Sequence, residues 1–149
     1  MSLFTPRLLI TDDDRDFRET VAGVLADRGF ETLLAGDGEE ALHLVCRHEV
    51  HLLLLDMQMP RLSGLDTIER IRGGAWVVPA GNESELFGSG YTQPALPPWI
   101  LISGALDEQI VARAKASAVF SVLPKPLRLP ELTGAVAKAL EQAYGWKAA

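Results

Sequence analysis

HLLLLDMQMPRLSGLD, residues 51–66, contains the most informative pattern in the chain. Its four consecutive leucines predict a strand buried on both faces, as strands of parallel sheets are. Ser63, followed three residues later by Asp66, predicts the start of a helix. A buried strand that leads into a helix through a short loop is typical of α/β proteins.

The rest of the chain repeats this strand-and-helix unit on both sides of the opening stretch. Apolar runs predict four more strands, and segments of helical periodicity predict four more helices. The strands are residues 7–11, 30–35, 99–103 and 119–123, and the helices begin near residues 14, 37, 107 and 130. Five alternations predict a doubly wound parallel sheet with helices on both faces, joined by right-handed crossovers. At 149 residues the chain fits one domain.

Composition argues against several classes of function. The net charge is −6 and no dense Lys/Arg run is present, so we expect no direct nucleic-acid binding. The longest apolar runs fall far short of the roughly 20 residues that cross a bilayer, and the first ten residues do not resemble a signal peptide. The single cysteine, Cys46, cannot form an internal disulfide, which fits a reducing cytoplasm.

Polar side chains follow four of the predicted strands. In an open parallel sheet, ligands bind at the carboxyl ends of the strands. Reading only those ends gives a short set of residues: Asp12, Asp13, Asp14, Asp56, Ser103 and Lys125. We expect most of these side chains to meet in one small pocket, although Asp14 precedes a helix and is predicted to be its N-cap.

Carboxylates gathered in one pocket repel each other unless a cation lies among them. Their oxygens suit Mg²⁺, which prefers a few carboxylates, waters and a substrate phosphate in octahedral array. Lys125 adds a positive point charge suited to a phosphoryl oxygen, and the hydroxyl of Ser103 can donate a hydrogen bond to the same group. The alternative for Ser103 is an ordinary turn residue. The set therefore indicates a magnesium and phosphoryl site.

Four motifs make the chain similar to the receiver domains of two-component response regulators. They are LLITDDD at residues 8–14, LLLLDMQMPRLSGLD at 52–66, ILISG at 100–104 and LPKP at 123–126. The likeness covers nearly the whole chain except residues 75–98. It implies a flavodoxin-like five-stranded sheet of order 2-1-3-4-5 in a stand-alone receiver.

The resemblance also implies a role for each site residue. Asp56 would accept a phosphoryl group, and Lys125 would pair with Asp56 before transfer and with a phosphoryl oxygen afterwards. Asp12, Asp13, Asp56 and the backbone carbonyl of Gln58 would hold Mg²⁺. Ser103 would bond to the phosphoryl group and so report its presence. The Lys125–Pro126 peptide bond would be cis.

The partners implied are a histidine kinase or phosphotransfer protein upstream and an unknown protein target downstream. The signal would pass through the face formed by the fourth helix, fifth strand and fifth helix. Such a cytoplasmic switch is not an enzyme in the ordinary sense, since it catalyses only its own phosphorylation and dephosphorylation.

The chain departs from the family pattern near the lysine. The family usually has Tyr or Phe three residues before it, where this chain has Val122. Phe120 is two residues earlier, about 6–7 Å along the strand and predicted to lie on the same face. Coupling is then expected through residues 104–108 instead of an aromatic rotamer. Ala118 replaces a common glycine, which we interpret as a minor change.

An insertion at residues 75–98 joins the third helix to the fourth strand. Such connections usually have about 2–6 residues, so this one is long. It enters at the amino end of the strand, opposite the acids. We therefore predict that it forms a partner or homodimer surface and does not cover the site.

Two other functions fit parts of the pattern. A degenerate receiver that acts only as a protein-binding module would explain Val122 and the insertion, but not the full set of acids and lysine. A phosphatase with an Asp nucleophile commonly needs a second acid two residues later, where this chain has Gln58. Gln58 is still predicted to influence how fast water removes a phosphoryl group from Asp56.

Overall fold

The computed structural model describes residues 4–73 and 96–148, in which strands and helices alternate along the chain. The predicted insertion surface lies outside the described residues except for residues 96–98. The elements, in chain order, are β1 Arg7–Thr11, α1 Arg15–Asp27, β2 Glu31–Ala35, α2 Gly38–Arg47, β3 Leu52–Asp56, α3 Gly64–Gly73, β4 Trp99–Ser103, α4 Glu108–Ala116, β5 Ser121–Pro124 and α5 Leu129–Tyr144.

The five strands form one parallel sheet of order β2-β1-β3-β4-β5, which confirms the predicted fold class and strand order. Thr11 lies beside Leu55 in the register of β1 and β3. Asp56 lies beside Ile102 in the next pair. Because all strands run the same way, the residues that follow them lie along one edge, which we call the carboxyl edge.

Two cores form on the two faces of the sheet because alternate strand residues point to opposite sides. Leu8, Leu52 and Ile100 pack with α1 and α5 on one face. Leu9, Leu53 and Leu101 pack with α2, α3 and α4 on the other. All five residues of β3 are buried, as four leucines in a central strand require.

Polar side chains cap the helices whose starts the sequence predicted. The Asp14 carboxylate accepts hydrogen bonds from the backbone N–H groups of Asp16 and Phe17 at the start of α1. Ser63 and Asp66 bond to each other's backbone N–H groups at the start of α3. These caps pair backbone N–H groups that the first turn of a helix leaves without a partner. They therefore fix where the loops at the carboxyl edge end and the helices begin.

The last helix, α5, carries Pro130 in its first turn and is followed by Gly145 in the left-handed region, with φ of 69°. Proline suits a first turn and glycine suits the position after a helix end. Among the helices of the described residues, none combines the length and apolar character that crossing a bilayer requires.

The prediction that Phe120 shares a face with Val122 is wrong. Phe120 precedes β5 and packs against the core beside α1 and α5. Val122 packs against the opposite core. Alternation holds only within a regular strand, and the chain turns from α4 into β5 just before Ser121. Ala118, in that turn, has a φ of 58°, so its replacement of glycine imposes backbone strain.

Candidate functional site

Three carboxylates meet at the carboxyl edge of the sheet. Ligand oxygens of Asp12, Asp13 and Asp56 all lie within 4.8 Å of one another, a spacing that suits one metal ion. Asp12 and Asp56 are buried, whereas Asp13 is exposed. In the described ranges no other group of three or more His, Cys, Asp or Glu side chains has such a spacing. The acids of two separate strand ends therefore come together as predicted.

Lys125 joins this cluster from the end of β5. Its Nζ lies 3.1 Å from Asp12 Oδ2 and 3.4 Å from Asp56 Oδ1. The predicted resting pair with Asp56 is therefore shared with Asp12, which is slightly closer. The backbone N–H of Lys125 donates to the Ser103 carbonyl at 2.9 Å, and the Lys125–Pro126 bond is cis as expected.

The charge of Lys125 is maintained by these neighbours. Burial alone would lower the pKa of the ammonium group, but the hydrogen bond to Asp12 and the charges of Asp56 and Asp12 raise the pKa above its ordinary value. The ammonium is thus fixed as a cation within a cluster of acids. It offsets part of the negative charge that the carboxylates bring together.

Hydrogen bonds restrain both the side chain and the backbone of Asp12. Its Oδ1 accepts the backbone N–H of Asp14 at 2.8 Å, and its own N–H donates to the Ala35 carbonyl at 3.1 Å. Arg18 Nη1 donates to the Asp12 carbonyl at 2.7 Å. The sequence did not predict a role for Arg18. This residue lies in α1, six positions after Asp12, and no sequence pattern indicates their contact. The loop after β1 is therefore rigid around Asp12.

Asp56 is less well satisfied. Its Oδ1 is buried with no hydrogen-bond partner, although Lys125 lies at ion-pair distance. Burial and the charge of Asp12 raise the pKa of Asp56 to about 6, against the smaller lowering effects of Lys125 and the Gln58 backbone N–H. A buried oxygen that lacks a donor beside two other acids suits a divalent cation, which would supply the missing positive charge.

The loop after β3 lies tightly against Asp56. A Cβ placed on Gly64 would be 2.6 Å from the Asp56 carbonyl oxygen, so only glycine fits there. Gly64 also donates its N–H to the Met57 carbonyl at 3.1 Å. The glycine eight residues after Asp56 thus lets α3 begin directly beneath the acidic cluster.

Ser103 contacts Gln58 across the site. The buried Ser103 Oγ lies 3.1 Å from Gln58 Nε2 and 3.3 Å from Gln58 Oε1, and it accepts the Ala105 backbone N–H at 3.2 Å. The Ser103 hydroxyl therefore already has partners before any phosphoryl group arrives. Sequence reasoning assigned Gln58 a role through its backbone carbonyl and did not foresee this side-chain contact.

Phe17 also reaches the site, from the first turn of α1. Its ring centroid lies 4.5 Å from Lys125 Nζ. Phe17 was not among the residues that the sequence predicted to lie at the site. No pattern in the sequence places a residue of α1 beside one that is 108 positions later.

Comparisons with known proteins agree with one another. The family model for the response regulator receiver domain matches residues 8–80. The response regulator MprA of Mycobacterium leprae is 33% identical over 136 residues, which are 91% of this chain and 51% of that protein.

Solved structures extend the likeness to the fold. A response regulator receiver protein from Pseudomonas putida superposes with a TM-score of 0.71 at 28% identity, over 92% of this chain and 99% of that one. The chemotaxis protein CheY4 of Vibrio cholerae has a TM-score of 0.73 at 20% identity, over 92% of this chain and 100% of its own. The chain spans about half the length of MprA.

Proposed function

Because the chain belongs to the response regulator receiver domain family, we propose that it is a signalling switch that accepts a phosphoryl group on Asp56. One observation carries the proposal: the Asp56 carboxylate is buried at the end of β3, with one oxygen lacking a hydrogen-bond donor, between two other acids and a lysine. The chain would form one receiver domain that carries the insertion at residues 75–98.

Asp12, Asp13 and Asp56 are the residues that would hold Mg²⁺, together with the backbone carbonyl of Gln58. When bound, the ion would neutralise charge on the carboxylates and on an incoming phosphoryl group. Both oxygens of Asp12 already accept one hydrogen bond, from the Lys125 ammonium and from the Asp14 N–H. Exposed Asp13 and the unpartnered oxygen of Asp56 are therefore the first oxygens available to an ion.

Asp56 would act as the nucleophile. A carboxylate oxygen attacks the phosphorus of a phosphohistidine, the P–N bond breaks, and its electron pair returns to the imidazole of the donor. The product is an acyl phosphate, which splits a hard transfer into two easier steps. The chain contributes positioning and charge to a loose phosphoryl transition state.

Lys125 would follow the negative charge as it moves from the carboxylate to the phosphoryl oxygens. Its ammonium is already 3.4 Å from Asp56 Oδ1, so a small movement suffices. Ser103 would exchange its bond with Gln58 for one to a phosphoryl oxygen, because a hydroxyl donates only one hydrogen bond at a time. That exchange is the event that would report phosphorylation to β4 and α4.

The signal would leave through the face of α4, β5 and α5. Leu106 and Leu129 lie at the starts of α4 and α5 and are each 37% exposed, although both are large and apolar. A shallow depression lined by Leu106, Val111 and Lys115 lies on α4. An apolar surface next to the Ser103 loop suits a protein target whose affinity depends on phosphorylation.

The upstream partner would be a histidine kinase or phosphotransfer protein, as membership of the response regulator family implies, and the setting would be the cytoplasm. The downstream partner would be a protein that binds the face of α4, β5 and α5, or a second copy of this chain. The net charge of −6 supports a protein partner over direct contact with nucleic acid.

Phosphoryl uptake tests the proposal. Wild type incubated with acetyl phosphate and Mg²⁺ should gain one acid-labile phosphoryl group by intact mass, and Asp56→Asn should gain none. Omission of Mg²⁺ from wild type should also prevent uptake. Asp37→Asn, at the start of α2, is a matched control that should take up phosphate as wild type does. Uptake by Asp56→Asn would contradict the proposal.

Gln58 provides a second measurement on the same sample. Its side chain contacts Ser103, and it would lie beside the path of a water that attacks the acyl phosphate. Replacement of Gln58 by Ala or Glu should change the rate of phosphoryl loss. An unchanged lifetime in both variants would remove Gln58 from the proposal.

A phosphorylation-independent binding module is the alternative that the position of Val122 favours. Val122 packs against the core beside α2, α3 and α4, and a valine has no ring that could change rotamer. Beryllofluoride with Mg²⁺ separates the two functions. If it leaves the amide signals of Asp56 and of residues 103–116 unchanged in wild type, the binding module is the better description.

A further inference from the structure

The neighbours of the Lys125 ammonium come from three separate elements. Asp12 follows β1, Asp56 ends β3, and Phe17 lies in the first turn of α1. The two carboxylates draw the ammonium toward the acidic cluster, and the Phe17 ring lies 4.5 Å from Nζ. A cation within about 6 Å of a ring centroid is attracted by the electron-rich face.

The Phe17 ring is itself held in place. Its backbone N–H donates to the Asp14 carboxylate at 3.3 Å, and the side chain packs against the core beside α1 and α5. The Asp14 N–H in turn donates to Asp12 Oδ1. One short loop therefore fixes both Asp12 and Phe17, two of the groups that contact the ammonium.

Lysine needs such restraint more than most side chains do. Its four-carbon stem is flexible, and its ammonium is a point charge that can meet a carboxylate from several directions. The Lys125 side chain is 29% exposed, so solvent competes for the ammonium. A fixed aromatic face on one side limits where the ammonium can lie.

We infer that Phe17 is a positioning residue for Lys125: its ring keeps the ammonium beside Asp12 and Asp56, where a phosphoryl oxygen on Asp56 would arrive. The first half of this inference depends only on the contacts in the structure. The second half, the effect on transfer, rests on the function proposed above.

The decisive experiment reduces the negative electrostatic potential of the Phe17 ring face while the shape of the ring stays nearly the same. Fluorinated phenylalanines introduced only at position 17 reduce the negative potential of the face in steps, while packing stays nearly constant. Phosphoryl uptake from acetyl phosphate at saturating Mg²⁺ should slow progressively, to about three- to tenfold below wild type. A residue that matters only for packing would show no such series.

A second readout needs neither metal nor phosphate. In the metal-free protein, ring currents should shift the ε-methylene protons of Lys125 upfield of those of Lys115, Lys138 and Lys147. Phe17→Leu should abolish that shift, Phe17→Tyr should keep it, and Phe17→Met serves if the leucine variant does not fold. Phe30→Leu, in the same core beside Trp146, is the matched control that should leave the Lys125 signal unchanged.

The outcomes separate the two claims. If Lys125 keeps its chemical shift in Phe17→Leu and Phe17→Met, the inference is overturned whatever happens to phosphorylation. If the shift is lost but the fluorinated series phosphorylates at the wild-type rate, the effect on transfer is overturned. If wild type itself takes up no phosphate, the proposed function fails, and the Lys125 signal still decides whether the Phe17 ring lies beside the ammonium.

Discussion

The two edges of the sheet differ in how well their buried polar groups are paired. At the carboxyl edge, three acids and a lysine crowd together. Across the described ranges, two buried side-chain oxygens lack a hydrogen-bond partner, Thr11 Oγ1 and Asp56 Oδ1, and both lie at this edge. At the amino edge, where the strands begin, polar groups of aromatic residues are paired: Trp99 Nε1 donates to the Ser117 carbonyl at 2.9 Å.

The amino edge is also held by a cluster of rings. Phe4 and Tyr144 pack around His51, with ring centroids 4.7 and 5.5 Å from that of His51. His51 Nδ1 accepts the Arg7 backbone N–H at 2.9 Å, and the Tyr144 hydroxyl donates to the His51 carbonyl at 2.8 Å. Satisfied groups stabilise a fold, whereas unsatisfied buried groups cost free energy and suit a ligand. The amino edge is therefore built for stability and the carboxyl edge for chemistry.

The largest expected effect comes from Trp99, a fully buried side chain at the start of β4. Trp99→Ala removes the indole from the core and leaves the Ser117 carbonyl without its donor. We expect the free energy of unfolding in urea to fall by about 4 kcal/mol. Mg²⁺ affinity should not change, because the site lies at the other edge.

Trp99→Phe separates the two causes. It keeps most of the ring volume but removes the hydrogen bond, so it should cost about 2 kcal/mol. If either Trp99 variant that remains folded bound Mg²⁺ much more weakly than wild type, the two edges would not be independent.

At the carboxyl edge, a substitution should increase the free energy of unfolding instead of decreasing it. Asp56→Asn removes one of three crowded charges, so in EDTA at pH 7 it should raise the free energy of unfolding by about 2 kcal/mol. Burial raises the pKa of Asp56 to about 6, above the value of about 3.9 expected in an unfolded chain. The stabilisation from its protonated form is complete below about pH 3.9 and is lost as the pH rises through about 6.

Urea unfolding in EDTA between pH 4 and pH 7 checks this sign. The stability of wild type should fall relative to Asp56→Asn across that range. Asp27→Asn, an exposed acid at the end of α1, is the control and should follow wild type. A constant difference between wild type and Asp56→Asn across the range would mean that the buried carboxylate is already neutralised by its neighbours.

A smaller effect is expected from Tyr144 at the amino edge. Tyr144→Phe keeps the ring packing and removes only the hydroxyl that donates to the His51 carbonyl. The free energy of unfolding should fall by about 1 kcal/mol, because the carbonyl can still reach water. An equal loss in Tyr144→Leu would show that the ring contributes nothing beyond the hydrogen bond.

Much of the carboxyl edge could be predicted because its signals are local. Apolar runs give the strands, and the polar residue that ends each run gives the site, since parallel strands end at one edge. The caps at Asp14 and at Ser63 with Asp66 were predicted for the same reason, because a cap depends on a few neighbouring residues.

What could not be predicted depends on contacts between distant segments. The sharing of Lys125 between Asp12 and Asp56 depends on side-chain geometry that no spacing encodes. The Phe17 ring and the Gln58 side chain were missed for that reason. Phe120 was placed on the wrong face because alternation was extended to a residue that precedes the start of β5.

The smallest expected effect tests a residue that the sequence interpretation treated as a minor change. Ala118 lies at the amino edge, in the turn before β5. Its φ is 58°, a value at which residues other than glycine have a strained backbone. Ala118→Gly removes that strain but adds freedom to the unfolded chain, and the net stabilisation should be about 0.5 kcal/mol. Ala112→Gly, at an exposed position in the middle of α4, is the matched control and should destabilise by about 1 kcal/mol. If both glycine substitutions destabilised the protein equally, Ala118 would not be strained. The turn before β5 would then be as free of strain as the rest of the amino edge.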